Sequence, residues 1–415
     1  MSSNESVSWL TLPSHHLWLD NESSRLLNFG SSLDHPAGGA AWLDDRGYPD
    51  PSHSALTYVT ARMSHVQFLG SLLGHPGARR RADRVFDGLL TTLRDARHGG
   101  WFESSDDATA SDPTGPDAVK SAYAHAFVVL AASAATAAGH PRGREILTEA
   151  LTTVEERFWD DEHGMCSDTW NVDWSELDPY RGINGNMHMV EALFAAVDAG
   201  AATIWRERAL RICANVCGWA ENNQWRIPEH FTPDWIPLLE YNSDDTTNQF
   251  KPYGATVGHG FEWARLLVQT GVDDFVPAAQ SIYDRAALDG WQPGPTPGFV
   301  YTTDWSGRPV VTSRLHWVLC EAIAAAATFA RLTGDTRYEN DYRIWWDVAA
   351  EYFVDHENGS WHHELDEHNA SASTVWSGKP DIYHAIQATW ISRYAQRSSL
   401  VATLTTTTPP DRGGR

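Results

Sequence analysis

Apolar side chains recur at i, i+3, i+4 and i+7 through SALTYVTARMSHVQFLGSLLG (54–74), VKSAYAHAFVVLAASAATAAG (119–139), HMVEALFAAVDAG (188–200) and RLHWVLCEAIAAAATFARLTG (314–334). That period predicts α-helices, and each run ends in glycine, a helix stop. Several of these runs are alanine-rich and apolar over most of their circumference, the pattern of a helix buried on more than one side. Strand-like alternation is scarce. A second pattern is an amphipathic helix, an acidic turn, a glycine and a short aromatic stretch. It occurs at 85–104, 151–170 and 345–365, with a looser copy at 281–307. Gly100 and Gly164 are 64 residues apart, and Gly298 and Gly359 are 61 apart. That repeat is the length of a two-helix hairpin plus a long loop.

The chain then holds about six hairpins, or about 12 helices. Closed in a ring they form an all-α, (α/α)6 barrel. An open solenoid would leave the apolar faces of its end repeats uncovered. One domain is expected over residues 5–397, with 398–415 (SSLVATLTTTTPPDRGGR) as a disordered tail. In the ring, the long turns 164–181, 225–258, 291–312 and 359–380 gather at one mouth. Chemistry is expected at the N-terminal halves of the inner helices that follow them.

Composition narrows the ligand. The 415 residues carry a formal net charge of −23, which repels phosphate backbones and anionic lipid, so neither nucleic acid nor membrane is an expected partner. No apolar run is long enough to span a bilayer, and MSSNESVSWLTLPSHH lacks the basic and apolar regions of a secretory signal. Cys166, Cys213, Cys217 and Cys320 form no CxxC pair and read as reduced, packed thiols of a cytoplasmic protein. The 20 tryptophans suit either a sugar-stacking pocket or a large core filled with indole.

Six inner segments carry polar residues inside apolar runs. In GATVGHGFEWARLL (254–267), His259 and Glu262 share a helix face, as an acid/base group and its orienter do. Gly254, Gly258 and Gly260 allow close approach of backbone and ligand. In SGKPDIYHAIQATW (377–390), Asp381 is a cap and His384 falls in the first turn, where the helix dipole favours the neutral imidazole. Asn184 and His188 open another helix. Arg62 interrupts an apolar stripe and requires an anionic or oxygen-rich partner, either Glu262 or a sugar oxygen. Trp317 and Glu321 lie on one face, and Tyr123 with His125 form a sixth wall. Singly, each is also what core packing or a surface contact produces; six at one end point to a pocket. Dinucleotide, P-loop and HExxH patterns are missing, so no cofactor and no metal is expected. WHHELDEH (361–368) reads as a solvated loop, and EHFTPDW (229–235) lacks ligands at helical spacing.

The set Arg62, Asn184, His188, His259, Glu262, Trp317, Glu321 and His384, within KPYGATVGHGFEWARLL (251–267), NGNMHMVEALF (184–194) and KPDIYHA (379–385), resembles the N-acylglucosamine 2-epimerase superfamily. It is most similar to the aldose–ketose isomerase branch, whose members act on mannose or sulfoquinovose. The resemblance runs from about Trp18 to Arg397. It implies the (α/α)6 barrel, a monomer or small homo-oligomer, and 1,2 proton transfer through a cis-enediol without metal or nucleotide. D-mannose, or D-lyxose, and D-fructose are the implied sugars. His259 and His384 would be the acid/base pair, with His384 taking the C2 proton and His259 opening the ring, or the reverse. Glu262 would orient His259, and Arg62 would hold the O1/O2 edge. Glu321 and His188 would bind hydroxyls, Trp317 would stack, and Tyr123 would complete the site. Sulfoquinovose isomerases hold their sulfonate with arginine and glutamines. Here Gln249 and Lys251 stand in that loop, which favours a neutral hexose. The competing readings are a 2-epimerase, an (α/α)6 glycoside hydrolase with no task for the histidines, and a non-catalytic sugar binder.

Overall fold

A computed structural model describes residues 7–29, 34–105, 119–395 and 397–406. Its helices, in chain order, are α1 (Pro13–Phe29), α2 (Thr57–Leu72), α3 (Ala78–Leu90), α4 (Ala122–Ala137), α5 (Gly143–Thr153), α6 (Ile183–Asp198), α7 (Ile204–Asn222), α8 (Val257–Gln269), α9 (Val276–Gly290), α10 (His316–Thr333), α11 (Thr336–Val348), α12 (Tyr383–Arg393) and α13 (Leu400–Thr406). The even-numbered helices from α2 to α12 form an inner ring. Each odd helix from α3 to α11 packs outside the helix before it, and α1 packs outside α12, which closes the circle.

Sequence dictates which helix goes where. In α4, 13 of 16 residues are buried, so it has no face suited to water and belongs inside. In α3 the apolar residues Ala82, Val85, Phe86 and Leu89 make one stripe, and the arginines cover the rest, so it belongs outside. Burying each such Val, Phe or Leu contributes ~1.5–3 kcal/mol. Ends are set locally. The Ser121 hydroxyl accepts the Ala124 N–H to cap α4, and Gly334, at φ 68°, stops α10 in the left-handed conformation that glycine adopts without strain.

Short antiparallel strand pairs ring the mouth. Ala55–Leu56 pairs with Ser104–Ser105, Val119–Ser121 with Thr169–Asn171, and Arg181–Gly182 with His230–Phe231. Ala255–Thr256 pairs with Thr302–Thr303, and Arg314–Leu315 with Glu364–Leu365. Each ties the lead-in of an inner helix to the loop of the next hairpin. At the sixth position Lys379 N–H donates to the Leu43 carbonyl. Backbone groups at the mouth are thereby paired, and the inner helices start at a fixed height. The repeat carries its own staple. Lys120 Nζ donates to Asp95 at 2.6 Å and to the Gly99 carbonyl at 2.7 Å. Lys379 Nζ repeats this with Asp355 at 2.5 Å and the Gly359 carbonyl at 2.9 Å.

Two expectations are corrected. Residues 398–406 do not begin a disordered tail: Leu400, Val401 and Leu404 of α13 are buried against α2, α4 and α6. Ser398 and Ser399 also donate to Asp198. The Ser/Thr-rich composition masks a one-sided apolar stripe. Residues 407–415 lie outside the described residues. The segment 361–368 is not a solvated loop, because strand pairing buries Trp361, His363, Glu364 and Leu365 and leaves only its far end exposed. All four cysteines are free. Among the described residues no helix is long and apolar enough to cross a membrane.

Candidate active site

The mouth of the inner ring opens into a cleft to which all six inner helices or their lead-ins contribute. Position two of four inner helices faces it: Tyr123 of α4, Asn184 of α6, Trp317 of α10 and His384 of α12. His259 is the third residue of α8. Arg62 and His188 stand one turn deeper, on α2 and α6, and Glu262 one turn deeper on α8. Eight of the nine residues expected from the sequence thus share one cleft. Gly258 explains part of this shape: a Cβ there would lie 2.2 Å from the Trp317 ring, so glycine lets the indole lie against α8 beside His259. Gly254, at φ 90°, turns the chain under the Thr303 carbonyl, where a Cβ would come within 2.2 Å.

The two expected acid/base histidines are built alike. His384 Nδ1 lies 2.9 Å from Glu321 Oε1, and His259 Nδ1 lies 2.9 Å from Glu229 Oε2. A carboxylate that accepts the Nδ1 proton leaves Nε2 as the free, basic nitrogen. Burial pushes His384 well below the ordinary imidazole range, and the nearby Arg62 adds to this. It is therefore a neutral base near pH 7. Trp317 lies beside both rings, at centroid distances of 5.3 Å from His259 and 5.8 Å from His384.

These contacts correct the expected roles. Glu262 does not orient His259; Glu229 does. The i, i+3 spacing put Glu262 on the same helix, but its side chain turns to the barrel axis, 3.7 Å from His188 Nδ1 and 3.6 Å from Arg265. Neither Glu262 oxygen has a hydrogen-bond partner. Burial and repulsion from Glu321 raise it well above the carboxylate range, which favours its protonated form. Glu321 does not line the cleft. It sits behind His384 and accepts two N–H bonds from Arg265 at 2.9 and 3.1 Å. Arg62 finds its anion not in Glu262 but in Asp381, at 3.1 Å, and donates to the Tyr123 hydroxyl at 2.9 Å. Asp381 also caps α12 as expected, accepting the Tyr383 N–H at 2.9 Å. His125 forms no wall: it faces Trp101, Phe158 and Trp174 away from the cleft.

Glu229 and His363 lie in the two runs set aside on sequence grounds, EHFTPDW and WHHELDEH, and His316, Phe250 and Trp376 were not singled out. Glu229 comes from the loop before α8, 30 residues from His259. The one signal for it was an acidic residue inside the apolar run IPEHF. His363 stacks on His316 at 3.9 Å, and both line the cleft. Phe250 and Trp376 meet over the mouth at 5.8 Å.

Arg62, the one arginine lining the cleft among the described residues, is paired with Asp381. Lys251 lies 3.8 Å over the Tyr180 ring instead of lining the cleft. Two trios, His188–Glu191–Glu262 and Glu262–Glu321–His384, bring possible metal-ligand atoms within 4.8 Å. Both share Glu262, and Arg265 already faces the carboxylates of each, so the arrangement is suited to sharing protons.

The profile of the N-acylglucosamine 2-epimerase (GlcNAc 2-epimerase) family matches residues 38–388. This chain belongs to that family. Within it, the chain is 48% identical over 406 residues to D-mannose isomerase of Thermobifida fusca, covering 96% of this chain and 99% of that one. It is 41% identical to D-mannose isomerase of Pseudomonas cannabina pv. alisalensis, over 92% and 93% of the two chains. A crystal structure of a D-mannose isomerase superposes with a TM-score of 0.83 at 27% identity, covering 92% of this chain and 99% of that one. The family and the (α/α)6 barrel read from the sequence are both borne out. In this N-acylglucosamine 2-epimerase family member, the loops that carry Glu229 and His363 lie inside the matched region.

Proposed function

We propose that this protein is an aldose–ketose isomerase that interconverts D-mannose and D-fructose without a metal. The observation that carries the reading is the matched pair of histidines. Each gives Nδ1 to a buried glutamate and shares Trp317 with the other. The names of the relatives support mannose as the sugar. The pairing of Arg62 with Asp381, and of Lys251 with Tyr180, supports a neutral substrate over a sulfonated one.

The proposed steps are these. His259 passes protons between O5 and O1 and opens the ring. His384 Nε2 takes the C2 proton, the C2–H electron pair forms the C1–C2 double bond, and the C1–O1 π pair moves onto O1, giving the cis-enediolate. His259 takes the O2 proton and passes it to O1; the O2 lone pair then closes the C2 carbonyl as the C1–C2 π pair takes the proton back from His384 at C1, giving the ketose. Glu321 stabilises the imidazolium that His384 becomes. Arg62 stabilises negative charge on the O1/O2 edge, and Glu262, holding its proton, donates a hydrogen bond to a sugar oxygen. The free cysteines support a reducing, cytoplasmic location.

The test is EDTA-treated protein incubated with D-mannose in D2O and followed by NMR. Fructose is the expected product, with little deuterium at C1, because one shielded base carries the proton. Glucose without fructose would replace the reading with a 2-epimerase.

A further inference from the structure

Besides His188, two imidazoles in the cleft have no task in these steps. His316, the first residue of α10, is 4% exposed, and His363 is 6% exposed; their rings stack at 3.9 Å and 25°. His316 Nδ1 lies 3.3 Å from the His363 carbonyl, and the His316 backbone N–H donates to that carbonyl at 3.0 Å. The Nδ1 proton is thereby committed, and Nε2 is left with its lone pair bare. Nε2 is buried and has no partner. The strand pairing of Arg314–Leu315 with Glu364–Leu365 brings the two rings together and holds the stack in place. A buried acceptor without a donor is costly, and a polar cleft is where a ligand relieves that cost.

Ring contacts give the order of the groups along the cleft wall. They run in a row: His259 to Trp317 at 5.3 Å, Trp317 to His384 at 5.8 Å, and His384 to His316 at 6.4 Å and 83°. If C1 and C2 react between His259 and His384, the next carbon along the row points to His316. We propose that His316 Nε2 accepts a hydrogen bond from the C3 hydroxyl of the sugar, with His363 as the stacked support that fixes the ring. His316 then selects for a hydroxyl next to the reacting carbons. This inference rests on the isomerase reading for the identity of the reacting carbons.

The test crosses one protein change with one substrate change. His316→Phe keeps a flat ring on His363 and removes the acceptor, while His316→Gln offers an amide oxygen in its place. Each is assayed with D-mannose and with 3-deoxy-D-mannose, after thermal melts show that it is folded. In the wild type, loss of the 3-hydroxyl should lower kcat/KM about five- to tenfold. In His316→Phe the two sugars should differ less than twofold, and His316→Gln should recover part of the discrimination. An equal penalty for 3-deoxy-mannose in wild type and His316→Phe overturns the proposal and leaves the isomerase reading intact. If the wild type does not turn over mannose, the isomerase reading fails. The same pairs are then compared by calorimetric binding, where a wild-type preference for mannose that His316→Phe loses upholds the contact and an unchanged preference refutes it.

Discussion

His384 and His259 each give one ring nitrogen to a carboxylate, and this fixes what every nearby substitution should do. His384→Ala should lower kcat by roughly 10² or more, the usual value of a general base, with the protein still folded. Steady-state rates on mannose check this, and a variant with near wild-type turnover removes His384 from the mechanism. Glu229 touches no substrate and acts through His259. Glu229→Gln should therefore cost about 10–100-fold in kcat with little change in KM, and should displace the pH profile, which a purely structural role would not do. Glu321 is a poorer probe, because its loss also strands Arg265, buried with both N–H bonds unmatched. Burial holds the His384 pKa well below 6.5, so its basic form persists as pH falls through 6.5. The acid limb of kcat/KM is expected below pH 6.5, and an acid limb above 7 would contradict this assignment.

At the scale of elements, the barrel works by fixing where inner helices begin. The residues in the cleft stand in the first two turns, so their positions depend on the lead-in segments. Lys379 is the clearest case. It pins the segment that delivers both Asp381 and His384, and it is 1% exposed. Lys379→Met should destabilise the fold by about 3–5 kcal/mol by leaving Asp355 buried without its cation. Urea unfolding checks the value, and a change below 1 kcal/mol would mean that the staple is idle. The equivalent Lys120–Asp95 pair holds the lead-in to α4, which carries Tyr123. The internal repeat is thus more than helix length: two of its copies place an aspartate, a glycine carbonyl and a distant lysine in the same relation.

The whole molecule buries an unusual set of neutral histidines. Burial lowers His65, His188 and His316 to about 4 and His125 to about 3, from 6.5. The unfolded chain binds these protons first, so between about pH 6.5 and 4 it carries more protons than the fold. Stability is full above 6.5 and should fall as pH drops through that window, by up to ~1.4 kcal/mol per histidine per pH unit. Melting temperatures from pH 7.5 to 4.5 test this; a flat profile would refute it. Helices, their alternation and the polar residues of their first turns were legible in the sequence, because a hydrophobic period is a local property and each inner helix must be apolar all round. The family motifs added the histidine pair. What the sequence left open were the partners. Arg62 meets Asp381 across 319 positions, His384 meets Glu321 across 63, and His259 meets Glu229 across 30. No period links such residues. Only ring closure brings helix ends together, and only strand pairing at the mouth decides that His363 is buried while its neighbours a few residues on are in water.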